Sequence, residues 1–465
     1  MEMLDALVKE HNVRCPECGG ELTESQPFNL MFRVYIGPLG KGIVGYGRPE
    51  AAQGQFVDFK RVYAAERERL PLGIAQIGRA MRNEIAPRKG PIRLREFTII
   101  DYEVFVDPED MSYPRIKKVE DVKLRILPAE EQLAGTNRVY EVTVREALEK
   151  GFIKNEVHAY FLALSTIFMQ QLGIPLDKQR FREQLPEERA HYSMQTFDQE
   201  VLVERWGWVE VAGHSYRYDY DLSRHMERSG ADLTVYKAYE KPRVERRKVV
   251  KLDKARIGRE FRSKAPEIFK ALESADPGVV ERELAERGVV EVAGCLLTPE
   301  HVSVVEEELV EHGRRFVPHV VEPSFGLDRL CYVALEYAYS ERDGRVVLRL
   351  PKDIAPVQVA VFPLLERESP MREKAFAVYR MLVDEGFDAA YDDSGSIGKR
   401  YARADEIGVP LCITVDYRTL EDDTVTIRDR DTWRQVRNEI DKLPELLRDY
   451  FRGRKSFEEL GEPVG

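Results

Sequence analysis

Alternation of apolar and polar positions is clearest between residues 72 and 105, first through LGIAQIGRAM and again through REFTIIDYEVF, with a basic turn at Arg88, Lys89 and Gly90 between them. A period of two predicts an antiparallel hairpin. Its first strand carries Arg82 and Glu84, and its second carries Arg93, Arg95, Phe97, Asp101 and Glu103. Upstream, the Arg48-Pro49 turn feeds a predicted helix over 51–69. Residues 117–144 read as strands and turns, and helical spacing of Phe161, Leu164, Ile167, Phe168 and Leu172 predicts a core-facing helix within 144–172. Residues 197–211 alternate as one strand with Glu210 inward, and 316–339 read as a strand, a tight glycine turn and a helix.

Beyond Pro356 the period itself alternates. Strands are predicted at 357–362, 388–391, 411–415 and 424–427, helices at 371–385 and around 401–407, and a last helix from near Asp431. This predicts a separate α/β domain with a mainly parallel sheet. The expected division is a catalytic domain over 1–236 and 316–352, a charged insertion over 237–315 with short helical pieces, and the C-terminal domain over 353–465.

Composition narrows the class only in part. The 465 residues suffice for two or three domains with ample core, and 33% charged residues leave no apolar run able to span a bilayer. With no signal-like apolar stretch at the N-terminus, a cytoplasmic location is expected. Five scattered cysteines exclude a disulfide framework. Cys15 and Cys18 form a CxxC knuckle, half of a zinc site; Cys295 or a histidine can complete it, or the knuckle holds no metal. A net charge of −11 argues against indiscriminate binding to polyanions but leaves room for a local basic patch.

The hairpin's residue types suit a polyphosphate beside an amine. A guanidinium holds phosphoryl oxygens in a bidentate fork, a carboxylate accepts from an exocyclic amino group, and an aromatic ring stacks a base. The stretch RNEIAPRKGPIRLREFT resembles motif 2 of the class II aminoacyl-tRNA synthetases in its glycine-specific form. Further similar words are YGRPEAAQG around Glu50, RFREQLPEERAHY around His191, GHSYRYDYDLSRH around Arg217, and VVEPSFGLDR, which resembles motif 3. DDSGSIGKRYARADEIGVPLCITVD resembles the anticodon-binding domain of the same subgroup.

The resemblance implies a class II antiparallel sheet flanked by helices (an α+β catalytic domain) and ATP-dependent activation of glycine, with transfer to tRNA(Gly). It implies ATP contacts from Arg82, Glu84, Arg95, Phe97, Glu322 and Arg329, Arg82 and Arg329 being the catalytic cations. Glycine contacts are implied from Glu50, Asp101, Glu103, Glu210, Arg217, Glu322 and Ser324, with Arg48 and Gln53 in support, and magnesium is placed on Glu322. His191 is expected as a packed, hydrogen-bonded side chain, and Lys399, Arg400 and Arg403 as tRNA contacts or a plain exposed helix face. The basic run after Lys237 is read as a solvated face or an acceptor-arm contact.

Four positions depart from the family pattern. Asp101 stands for glutamate, Ala51 for threonine, Tyr216 for aspartate and Asp328 for glycine. Only about a dozen residues precede Cys15 where motif 1 is expected, so a homodimer or a complex with a separate chain supplying motif 1 is anticipated. The alternative reading is a divergent, non-catalytic or repurposed synthetase-like protein that binds RNA.

Overall fold

The alternating stretch forms the expected hairpin, in a shorter version. In the computed structural model, β1 (Leu72–Met81) and β2 (Glu96–Val106) pair antiparallel from Leu72↔Phe105 to Met81↔Glu96. Arg82, Glu84, Arg93 and Arg95 therefore stand in the connecting loop and not on strands. Pro87 and Pro91 withhold two ladder donors there, and a 3-10 turn at Gly90–Ile92 follows. The structure describes all residues except 1, 17, 39–41, 86, 88–89, 366–368 and 465, and backbone only at 2, 245, 309 and 369. Arg88 and Lys89 of the expected basic turn lie outside the described residues.

Six more strands complete the sheet: β3 (Lys123–Leu127), β4 (Tyr140–Thr143), β5 (Gln179–Glu183), β6 (Gln195–Val203), β7 (Gly207–Tyr218) and β8 (His319–Gly326). Their spatial order is β1-β2-β8-β7-β6-β5-β3-β4, antiparallel except between β3 and β5. Residues 197–211, expected as one strand, are the two arms of a hairpin; Gly207 at φ 70° supplies the left-handed turn.

Four helices matter to the site: α1 (Gln53–Ala65), α2 (Glu156–Gln171), α3 (Tyr220–Ser229) and α4 (Leu327–Ala338). The helix expected through 144–172 is interrupted at Gly151 (φ 73°) and restarts where the Asn155 side chain accepts from His158 N at 2.8 Å. The apolar stripe of α2 buries Leu162 and Ala163 with Leu124, Ile126, Phe181 and Phe197 of the sheet. Met169 joins Val201, Val211, Leu330 and Val333 in a second cluster beneath α4.

The C-terminal domain holds a six-stranded sheet in the order Ala389–Tyr391, Val359–Pro363, Leu411–Val415, Thr424–Asp429, Gln435–Glu439, Glu462–Pro463. Only the first three strands are parallel, so the sheet is mixed and not mainly parallel as expected. The helix expected near Asp431 begins later, at Leu443–Phe451, because a turn and strand Gln435–Glu439 come first.

Residues Asp232–Val317 form a compact unit of their own. Strands Val235–Leu252 and Val302–Phe316 pair antiparallel and set Arg246, Arg247 and Lys248 opposite Glu308, Glu307 and Glu306. The basic run is thus largely answered by an acidic run some sixty residues away. Three helices at the far end enclose Ile257, Ile268, Leu272 and Leu297.

Candidate active site

Strands β2, β8 and β7 lie side by side at the sheet's centre, and their register brings distant residues together. Ser324 sits opposite Asp101 on one side and Gly213 on the other, and its hydroxyl donates to Asp101 Oδ1 at 2.5 Å. Asp101 and Glu103, two apart on β2, point to the same face. A cavity of about 350 Å³ opens here, lined by Arg82, Glu84, Arg93, Phe97, Tyr192, Asp198, Glu210, Gly213, Glu322, Ser324 and Arg329 among others. A Cβ added at Gly213 meets no atom within 4 Å, so glycine at this position leaves the floor open.

One end of the cavity is cationic. Arg82 lies 5.2 Å from the Phe97 ring centroid, anchored by Nε donating to Pro49 O at 3.1 Å. Arg329, in the first turn of α4, donates through Nε to Ile92 O (3.0 Å) and through Nη1 to Glu210 O and Oε2 (2.6 and 3.2 Å). Arg93 approaches Glu84 at 3.8 Å. The helix that carries Arg329 is held to β2 by Asp328, whose Oδ2 accepts from Thr98 N at 2.7 Å; the departure from glycine at this position is a tether.

The other end is an acidic cluster around one buried cation. Arg217, 1% exposed, donates to Asp221 through Nε and Nη2 (2.8 and 2.9 Å) and to Glu322 Oε2 through Nη1 (2.8 Å). Its guanidinium stacks 4.1 Å from the Tyr192 ring centroid. Asp101 and Glu103 are 1% and 0% exposed, with Asp101 Oδ2 and both Glu103 oxygens buried without a hydrogen-bond partner. Glu50 shares the Gln53 amide with Asp221, at 2.8 and 3.2 Å. One guanidinium therefore faces five carboxyl groups.

That imbalance shows in the titration of the acids. Burial pushes Glu322 up to about 7 against the opposing pull of Arg217. Burial holds Glu103 well above the usual carboxylate range, with Glu322 adding to it, and raises Asp101 against the Ser324 hydrogen bond. Asp198, which lines the cavity and accepts from Gln184 at 2.7 Å, is pushed up to about 7 by burial and then by Glu210. Burial of like charges with too few partners disfavours ionisation of these four acids, Glu322, Glu103, Asp101 and Asp198. A ligand cation placed among them reverses that penalty.

Several expected residues lie elsewhere or in other company. Glu210 is half exposed and paired with Arg329, at the cationic end and not among the carboxyl groups bonded to Arg217. Arg217 is taken up by Asp221 and Glu322, so its guanidinium is not free for a substrate carboxylate. Arg95 reaches only the Glu84 carbonyl, at 3.4 Å, while Arg93 lines the cavity in its place. Arg48 donates to Arg79 O at 2.8 Å and braces β1. His191 bonds the Tyr220 hydroxyl at 2.7 Å, and Tyr216 bonds His319 Nδ1 at 2.7 Å away from the cavity. Arg400 is 1% exposed and spends its donors on Gly395 and Pro363 carbonyls, whereas Lys399 and Arg403 are both exposed, Arg403 in a pair with Asp392.

Asp221 and Tyr192 are the residues that sequence reasoning missed. The i,i+4 spacing of Arg217 and Asp221 across a strand-to-helix junction is the one local signal that was present. For zinc there is no support: among the described residues no three His, Cys, Asp or Glu converge on a metal site, and Cys295 is buried in the separate 232–317 unit.

Residues 48–338 match the family described as the tRNA synthetase class II core domain (G, H, P, S and T), and residues 358–450 match the anticodon binding domain. The glycine–tRNA ligase of Aeropyrum pernix is 54% identical over 463 residues, which cover 99% of this chain and 79% of that one. The chain belongs to the glycine–tRNA ligase family of class II synthetases. The corresponding ligases of Pyrococcus horikoshii and Methanothermobacter thermautotrophicus are 48% and 45% identical, over 97% and 96% of this chain and 80% and 78% of theirs. A crystal structure of prolyl-tRNA synthetase from Cryptosporidium parvum aligns with 97% of this chain and 71% of its own at 17% identity and a TM-score of 0.49. Class II synthetases draw on ATP and magnesium, and a family member is expected to present cations for the one and carboxylates for the other. No helix among the described residues is long and apolar enough to cross a membrane.

Proposed function

We propose that the chain activates glycine with ATP and transfers it to tRNA(Gly), and that the surplus of carboxyl groups around Arg217 is the seat of the glycine ammonium. That surplus carries the reading. Five carboxyl groups gather round one guanidinium, and the adjoining cavity gives a small cation access to Glu322 and Ser324.

With the ammonium at that end, the glycine carboxylate points along the cavity toward Arg82 and Arg329. There it attacks the α-phosphorus of ATP: a C–O–P bond forms, the bond to the bridging oxygen breaks, and pyrophosphate leaves with the electron pair. Arg82 and Arg329 offset the charge that builds on the phosphoryl oxygens. Phe97 supplies an apolar face for the adenine, and Glu84 an acceptor for its amino group. Magnesium would screen the phosphates, and Glu210, whose carboxylate lines the cavity at its cationic end, would hold it there as an oxygen ligand to a hard cation. The terminal ribose hydroxyl of tRNA then attacks the adenylate carbonyl, and AMP leaves.

Selectivity follows from crowding. Glycine offers no side chain to grip, so larger amino acids are rejected by what surrounds the α-carbon. Asp101, shorter by one methylene than the family's glutamate, is fixed by the Ser324 hydroxyl, which keeps the wall in place. Charging of a tRNA(Gly) transcript with labelled glycine tests the reading: acid-precipitable label that depends on ATP supports it, and binding of the transcript without charging supports the RNA-binding alternative.

A further inference from the structure

We propose that Trp433 is a positioning residue for RNA charging. With Arg342 and Arg428 it forms the joint that holds the C-terminal domain against the hairpin following α4, so that RNA bound by that domain presents its end to the cavity. The inference rests on the synthetase reading above.

Trp433 occupies the turn between strands Thr424–Asp429 and Gln435–Glu439 at φ 63°, a conformation that bulky residues rarely adopt. The turn is held from several sides. Trp433 N donates to Asp429 O at 2.9 Å, and Asp429 Oδ2 accepts from Thr432 N and Oγ1 at 2.7 Å each. The indole Nε1–H is buried without a hydrogen-bond partner, so the ring is kept for its face and not for its donor. Arg342 lies 4.1 Å from the ring centroid and Arg428 5.4 Å.

These two arginines lead in opposite directions. Arg342 ends strand Tyr339–Arg342, which continues directly from α4, the helix whose first turn carries Arg329; its Nη1 also donates to Asp431 O at 2.9 Å. Arg428 grips Asp405 with two bonds of 2.8 and 3.0 Å, and Asp405 is wholly buried on helix Ile397–Glu406. Backbone contact reinforces the joint: a Cβ on Gly408 would come within 3.1 Å of Leu348 O. An unbroken run of contacts thus joins a helix of the C-terminal domain to the helix that places Arg329. A planar guanidinium stacks on an indole as an ammonium cannot, which gives the joint a chemical signature.

The test uses the full chain and its Trp433→Ala, Trp433→Phe and Arg342→Lys variants. Glycine-dependent exchange of pyrophosphate into ATP and charging of the tRNA(Gly) transcript are measured on each. Exchange is expected within about twofold of the parent for all three, while kcat/KM for charging falls about tenfold or more in Trp433→Ala, less in Arg342→Lys, and recovers in Trp433→Phe. Equal loss of both activities, or charging left intact in Trp433→Ala, overturns the proposal. Absence of exchange in the parent chain instead defeats the synthetase reading; small-angle scattering then judges the joint alone, with an expanded Trp433→Ala profile supporting it and an unchanged profile overturning it.

Discussion

Glu322→Gln separates the ammonium seat from the scaffold that holds it. The carboxylate lies 13% exposed at the cavity, with Oε2 on Arg217. Replacing it with an isosteric amide removes the charge-assisted contact that the proposed seat makes to the ammonium, worth about 1.5–3 kcal/mol, or a factor of roughly 10–150 in exchange kcat/KM for glycine. Arg217 keeps both bonds to Asp221, so no bare cation is left behind. Stability should move the other way. Burial raises the Glu322 carboxyl to about 7, so between the ordinary glutamate range near pH 4 and pH 7 the folded chain holds a proton that the unfolded chain has lost. The parent therefore loses stability as pH rises through this window, and the glutamine variant, which keeps the other raised acids but not this one, loses less. Pyrophosphate exchange and thermal melts at pH 5 and pH 8 read both effects. The melting temperature of the variant relative to the parent should rise from pH 5 to pH 8 while exchange collapses. Unchanged exchange, or a relative melting temperature that falls with pH, refutes the reasoning.

Three further outcomes are expected. Gly213→Val places methyl groups in open cavity space and should abolish exchange with a near-parental melt; exchange retained at parental KM for glycine would show that substrate lies elsewhere. Asp198→Asn removes an acid raised to about 7 and should likewise flatten the decline of stability between pH 5 and pH 8, read by urea denaturation; an unaltered slope would show that Asp198 titrates normally. Asp405→Ala strips the partner from buried Arg428 and should cost about 3–5 kcal/mol in the C-terminal domain, seen as an early denaturation transition; a loss below about 1 kcal/mol would contradict the buried pair.

The sheet's centre was legible because period-two alternation marks strands and because Gly326 followed by an apolar helical run marks the turn into α4. Strand ends were less so: Arg82 and Arg95 alternate in step with β1 and β2, and only the loop geometry shows that the ladder stops at Met81 and resumes at Glu96. Partnerships were the least legible. Arg217 carries a charge suited to a substrate carboxylate, yet Asp221 and Glu322 claim it, the second from 105 residues away. Likewise, the basic run after Lys237 gives no hint of strand until the glutamates opposite it are in register. Single residues advertise their chemistry, whereas the neighbours that decide its use come from elsewhere in the chain.

Glycine-dependent exchange of pyrophosphate into ATP by the purified chain, with alanine and serine run in parallel, bears most directly on the proposed activity. Exchange with glycine alone is predicted, since in the proposed reading the carboxyl cluster seats the ammonium and Asp101, fixed by Ser324, crowds the α-carbon. Exchange with alanine or serine at comparable rates, or none with any of the three, would contradict it.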